Sequence, residues 1–271
     1  MFDEVLRGWG MPHDFMEEHW RRSPVAGRQA ASAPGVPAPD QVWDLLRSGL
    51  RADRVSVSTA GRLHHPTEFT VERVIAGRTV ADVVDPDRLS GMIEQGATAI
   101  LADGEHWMPW SASLATGLAE DTGCEIQAHI FLTGGKQAGL LPHVDGEDNF
   151  LLQIEGSKSW SLWPSQGSVS PRHMGRDRLG LPTMTVDLNP GDSLYIPLGW
   201  VHAAVAGEGG STHITYQVVP VSLLDAVLDQ LAEELESLLG ENFIPVDGSS
   251  PLVPKVAEEL AVAIAEHLNR R

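Results

Sequence analysis

From about residue 125 onward the apolar residues recur with a period of two, and this constrains the fold more than any other feature. Ile126, Ala128, Ile130 and Leu132 alternate with Gln127, His129, Phe131 and Thr133. Successive side chains of an extended chain point to opposite faces, so this run reads as a strand with one apolar face. Short runs of similar character follow at 149–155, 158–163, 184–188, 193–196, 201–206 and 212–219. Turn-forming pieces stand between them: Thr133-Gly134-Gly135, Glu155-Gly156-Ser157, Asn189-Pro190-Gly191-Asp192 and Gly207-Glu208-Gly209-Gly210. Many short strands with glycine and proline punctuation predict a mainly β domain, a double-sheet jelly roll.

The flanks read differently, and the pattern predicts three regions: a helical and mixed segment over 1–95, the barrel over 96–220, and a helical segment over 221–271. Short helices are expected before Pro24, carrying Phe2, Val5, Leu6, Trp9, Phe15, Met16 and Trp20. The stretch Pro24–Pro39 is rich in Ala, Pro, Gly and Ser and reads as a loop. A helix should open with Asp40 as N-cap and run through Val42, Trp43, Leu45 and Leu46. Val55 and Val57 suggest a strand, 87–95 a helix, and 97–101 a short apolar run. Ser111 is placed to cap a helix that ends at Gly123. After Pro220, Leu224, Leu228, Leu231, Leu235 and Leu238 recur at spacings of four and three, and a second helix is expected over 256–268. That leucine stripe suits a hairpin packed on the barrel or the seam of a homodimer.

Bulk composition narrows the function. A chain of 271 residues with 42 % hydrophobic content can bury a sizeable core. Its formal charge of −18 repels phosphate backbones, so nucleic acid is not expected as a partner. The same charge attracts a cationic substrate, or serves solubility alone. Cys124 is the only cysteine, which excludes an internal disulfide and suits a reducing cytoplasm. The N-terminus lacks a basic segment followed by an apolar run, so no signal peptide is read there. Nor does any stretch approach the roughly 18–20 apolar residues of a membrane-spanning helix.

The chemistry concentrates in Leu141-Pro142-His143-Val144-Asp145-Gly146. His143 and Asp145 are two apart, which on a strand sets an imidazole and a carboxylate on one face. His202 follows the turn Pro197-Leu198-Gly199-Trp200 and opens a strand of its own, placed to point inward. Two histidines and one carboxylate form a facial metal triad that leaves other positions on iron open for a bidentate ligand and O2. Lys158 comes after a tight turn; if it points into the barrel it is a cation that needs a partner. Of the remaining histidines, His13, His64, His65 and His106 lie in loop-like contexts and His173 in a long insert. His129 and His213 fall in strands, where they line the same cavity or are satisfied core residues; the core or supporting role is preferred.

The run His143–Trp163, HVDGEDNFLLQIEGSKSWSLW, resembles the JmjC-type branch of the cupin superfamily, and within it the ribosomal oxygenases of bacteria and eukaryotes. Asn189–His202, NPGDSLYIPLGWVH, and Ser211–Thr215 match the same family, and the resemblance spans roughly residues 10–220. It implies a double-stranded β-helix, iron ligands at His143, Asp145 and His202, and Lys158 as the residue that binds the far carboxylate of 2-oxoglutarate. The implied activity is hydroxylation of an amino-acid side chain in a peptide, protein or peptide-like natural product, with Fe(II), 2-oxoglutarate and O2. Relatives carry an Asn and a Tyr on the strand before the His-x-Asp motif; here that strand reads His129-Ile130-Phe131. His129, Phe131, His213 and Thr215 are therefore the expected pocket wall, with substrate identity not carried over. The winged-helix module of the ribosomal oxygenases is not expected in a chain of this length. Cupin barrels also serve as metal-dependent isomerases or ligand-binding modules, and in those Lys158 would have no 2-oxo acid to hold.

Overall fold

The structure is a computed structural model that describes residues 2–28, 35–136, 140–165, 172–173 and 179–220. Residues Met1–Pro220 form one compact unit. The helices expected over 224–238 and 256–268, with their dimer seam, lie outside the described residues.

Two short helices, α1 (Phe2–Gly8) and α2 (Phe15–Glu18), precede strand β1 (Val25–Gly27). Helix α3 (Pro39–Arg47), strands β2 (Val55–Thr59), β3 (Arg62–Leu63), β4 (Thr70–Ile75) and β5 (Arg78–Val84), and helix α4 (Pro86–Glu94) follow. Strand β6 (Thr98–Leu101) and helix α5 (Ala112–Thr122) lead into the barrel strands β7 (Glu125–Thr133), β8 (His143–Val144) and β9 (Asp148–Trp163). The set ends with β10 (Arg172–His173), β11 (Met184–Leu188), β12 (Ser193–Ile196) and β13 (Val201–Val219).

The jelly roll is present, but two pairs of expected strands are each one long strand. Residues 149–155 and 158–163 belong to β9, and 201–206 and 212–219 belong to β13. The first half of β9 pairs with β12 and the second half of β13; its second half pairs with β11 and the first half of β13. Each long strand thus passes from one sheet to the other at its glycine segment. Gly156 has φ +64°, and a Cβ there would collide with the carbonyl oxygen of Gly210. Glycine at this corner is a steric requirement of the crossing rather than the end of a strand.

The path β1-β12-β9-β13-β7-β6-β2-β3 forms one sheet face, with β8, β10 and β11 completing the other side. β1 lies inside the segment read as a loop; it pairs with β12 and forms that edge of the sheet, with Val25 opposite Tyr195. Helix α3 starts one residue before its expected cap: Pro39 is its first residue, and the backbone N–H of Ala38 donates to Gln41 Oε1 at 2.8 Å. Ser111 precedes α5 without capping it, because its hydroxyl donates to the Gly104 carbonyl at 2.7 Å.

The main core lies outside the barrel lumen. Ile126, Ala128, Ile130 and Leu132 of β7 pack with Leu114, Ala115 and Leu118 of α5. Trp9, Phe15 and Trp20 from the N-terminal segment stack on Phe150, Tyr195 and Tyr216 of the barrel, with ring centroids 4.8–6.1 Å apart. Each fully buried aromatic among them contributes roughly 2–3 kcal/mol. This mass holds the closed side of the sheet and leaves the lumen free for polar groups.

Candidate metal and co-substrate site

β8 and the start of β13 are antiparallel neighbours, with His143 directly opposite His202 and Val144 opposite Val201. The cross-strand pairing, invisible in a sequence separation of 59 positions, brings the two imidazoles to 4.2 Å between ring centroids. Asp145 follows immediately after β8. The turn Pro197–Trp200 is fixed against it: the Gly199 N–H donates to the Asp145 carbonyl at 3.0 Å. Its other anchor is Asp148, whose carboxylate accepts from the Leu198 N–H at 3.2 Å.

Donor atoms of His143, Asp145 and His202 all lie within 4.8 Å of one another. His143 Nε2 is 3.6 Å from Asp145 Oδ1, and His202 Nε2 is 3.4 Å from Oδ2. Ligands about 2.1 Å from a shared ion stand at roughly such separations. The opposite ring nitrogens are occupied: His143 Nδ1–H donates to the Leu141 carbonyl at 2.8 Å, and His202 Nδ1–H to the Trp200 carbonyl at 3.1 Å. Both bonds keep a proton on Nδ1 and turn Nε2 of each ring toward Asp145, where it can ligate a metal or, when protonated in the metal-free protein, bond the carboxylate. Burial pushes the Asp145 carboxyl up, but the hydrogen bond from His202 and the nearby charges of His202 and His143 prevail and hold it down to about 2. These three groups fit a divalent cation.

Asn149, one turn of chain further on, donates to Asp145 Oδ2 at 3.1 Å and accepts from Gln217 Nε2 at 2.8 Å. The sequence reading passed over both amides. A buried Asn beside Phe150, Leu151 and Leu152 was the available signal, since a polar residue inside an apolar strand run needs a reason.

The same cavity is also lined by Lys158, Trp160, Phe131, His213 and Thr215. Lys158 is 3 % exposed. Its Nζ donates to Thr133 Oγ1 at 3.3 Å and lies 5.4 Å from the Trp160 ring centroid. Burial pulls its pKa down to about 7. Burial, and then Lys158, hold His213 well below the usual histidine range. The structure therefore brings Lys158, Phe131, His213 and Thr215 into one cavity with the triad. His129 is not on the lining; its Nδ1 accepts the Asp103 N–H at 3.4 Å, and its pKa is lowered by burial. His64 and His65 bond Glu68 and Thr67 in a turn far along the chain.

Residues 111–225 match the family model of the JmjC domain. Among curated proteins, the bifunctional lysine-specific demethylase and histidyl-hydroxylase NO66 of Drosophila persimilis is 24 % identical over 262 residues, 93 % of this chain and 36 % of that protein. Ribosomal oxygenase 2 of Bos taurus is 37 % identical over 97 residues, 34 % of this chain and 21 % of that protein. The chain thus spans about a third or less of the length of these relatives. Among solved structures, YcfD, a ribosomal oxygenase from Escherichia coli in complex with cobalt and 2-oxoglutarate, has a TM-score of 0.56 at 20 % identity, covering 94 % of this chain and 66 % of that one. The likeness establishes the shared fold.

Proposed function

We propose that this chain, which carries a JmjC domain in its barrel, is an Fe(II)- and 2-oxoglutarate-dependent oxygenase that hydroxylates an amino-acid side chain. The observation that carries the reading is Lys158: a fully buried cation, with no carboxylate among its bonded partners in the described residues, in the cavity that also holds His143, Asp145 and His202. A buried charge of this kind is costly unless a ligand neutralises it, and a dicarboxylic 2-oxo acid supplies the missing anion. In a metal-binding isomerase or a simple binding module the triad would keep its use and Lys158 would have none.

His143, Asp145 and His202 would hold Fe(II), the two imidazoles through Nε2. Bound iron, 2-oxoglutarate and O2 together supply the oxidation that converts a substrate C–H to C–OH, with succinate and CO2 as co-products. The chain's residues do the rest. The Leu141 and Trp200 carbonyls orient the two imidazoles, and Asn149 orients Asp145. Phe131 and Trp160 exclude water around Lys158.

The substrate we favour is a peptide or protein segment, and a basic one. Support comes from the net charge of −18 and from relatives named as a histidyl-hydroxylase and as ribosomal oxygenases. A small molecule is the other substrate class the cavity could take. A reducing cytoplasm fits the single cysteine.

The test is anaerobic titration of the metal-free protein with Fe(II) and 2-oxoglutarate, followed by the weak visible charge-transfer band of the chelate. The wild type should give the band and Asp145→Ala should not. Iron binding without any band on adding 2-oxoglutarate would refute the assignment.

A further inference from the structure

Four buried side-chain N or O atoms among the described residues have no hydrogen-bond partner, and two of them line the cavity beside Lys158: His213 Nδ1 and Trp160 Nε1. Their clustering is close. His213 stacks on Phe131 at 4.8 Å between ring centroids, with the planes 7° apart, and meets the Trp160 ring edge-on at 5.7 Å. Lys158 Nζ lies over the same two rings, 6.0 Å from Phe131 and 5.4 Å from Trp160. An indole nitrogen can only donate, and a neutral imidazole carries its one N–H on Nδ1 in one of its two tautomers. Nearly every buried donor in a native protein finds an acceptor, so two orphans around one cation describe the outline of an absent anion.

Resting on the oxygenase reading above, we infer that His213 and Trp160 are co-substrate-binding residues, whose N–H groups join Lys158 in seating the far carboxylate of the 2-oxo acid. A lysine ammonium is a point charge, unlike the arginine fork that serves both oxygens of a carboxylate at once. A carboxylate offers about four lone-pair sites. Lys158 takes one, and the two neutral donors serve the rest without adding a second buried charge. Thr133 completes the surroundings: its hydroxyl oxygen already accepts from Lys158 at 3.3 Å and from Thr98 Oγ1 at 3.4 Å, which leaves its own proton free to donate. The seat would select a dicarboxylic 2-oxo acid over a monocarboxylic one of equal length.

The experiment compares 2-oxoglutarate with 2-oxopentanoate, which has the same chain and a methyl in place of the far carboxylate. Dissociation constants are read anaerobically on the Fe(II) protein from the chelate band, with thermal shift as a second readout. His213→Phe keeps the stacked ring and removes the donor; Trp160→Phe does the same for the indole. Each should weaken 2-oxoglutarate about tenfold, leave 2-oxopentanoate within twofold, and leave Fe(II) affinity unchanged. His213→Asn, which restores an N–H near the same position, should recover most of the loss. Either phenylalanine variant that leaves 2-oxoglutarate affinity within twofold of wild type removes that residue from the seat. Equal weakening of both acids would show a packing role and overturn the inference. Absence of any chelate band in the wild type would instead overturn the oxygenase reading, so the two failures are distinguishable.

Discussion

Strand β9 carries two fully buried charges ten residues apart, and the chain treats them in opposite ways. Asp148, 0 % exposed, is surrounded by its own partners: Arg21 Nε donates at 3.0 Å, the Tyr195 hydroxyl at 2.7 Å and the Leu198 N–H at 3.2 Å. Among the described residues, Lys158 has one neutral acceptor, Thr133, and two aromatic faces. The first is a structural charge, neutralised within the chain so that it ties the N-terminal segment and the 197–200 turn to the barrel. The second is a charge whose counterion has to come from solution. Burial alone does not distinguish a functional ion from a structural one; the completeness of its partners does.

The sharpest way to break this contrast is Lys158→Met. Affinity for 2-oxoglutarate should fall by about 100-fold or more, as expected when a buried ion pair loses one partner, while the metal-free protein should be as stable as wild type or more so. A protein strongly destabilised by Lys158→Met would show that the cation is structural after all.

The pH dependence follows from the same burial. Unfolded, Lys158 titrates near its ordinary value of 10.5, and folded near 7, so between those values the unfolded chain holds the extra proton. Stability of the apo-protein should therefore rise with pH from about 7 upward, by roughly 1 kcal/mol per pH unit. Co-substrate affinity should move the other way, because the anion requires the protonated lysine. Chemical denaturation and 2-oxoglutarate titration at pH 7 and 9 check both slopes, and Lys158→Met should flatten the first. Parallel slopes would contradict the unpartnered-cation reading.

Asp148→Ala removes a hub that Arg21, Tyr195 and Leu198 share. A loss of about 2–3 kcal/mol is expected, below the full cost of a broken buried pair because Arg21 is partly solvated. The melting temperature should drop by roughly 5–10 °C, and metal affinity should weaken as the turn before His202 loosens. Tyr195→Phe is the mildest change: it removes one of three bonds to Asp148 and the bond its hydroxyl accepts from the Arg21 N–H at 2.8 Å, with an expected cost of about 1–2 kcal/mol in a urea titration. A larger loss from Tyr195→Phe than from Asp148→Ala would mean that the Tyr195 hydroxyl, which also accepts from the Arg21 N–H, is the hub rather than the carboxylate.

Much of this was legible in one dimension. The alternation over 125–133 is the β7 strand, and the His-x-Asp spacing sets Asp145 just beyond β8 beside His143. The β4–β5 hairpin was missed because its turn is Ala76-Gly77, both at positive φ (48° and 74°). That conformation is usually announced by Asn-Gly or Asp-Gly, and alanine gives no such signal. The glycine segments at 156 and 207–210 were read as strand ends because a turn and a sheet crossing demand the same backbone freedom. β1 escaped because three residues at a sheet edge leave no periodicity to detect.

By itself, then, the sequence determined the residue types and short-range spacings: which strands alternate, which imidazoles and carboxylate are available, and that Lys158 lies in a strand just past a glycine corner. Those features act over a few residues, where covalent geometry dictates which side chains share a face. Only the tertiary structure decided that His202 sits opposite His143, that Asp148 is satisfied while Lys158 is not, and that His213 and Trp160 have unpartnered nitrogens beside it. Pairing across the barrel depends on how two sheets close around a shared lumen, and whether a polar atom finds a partner is settled only when every neighbouring chain segment is in place.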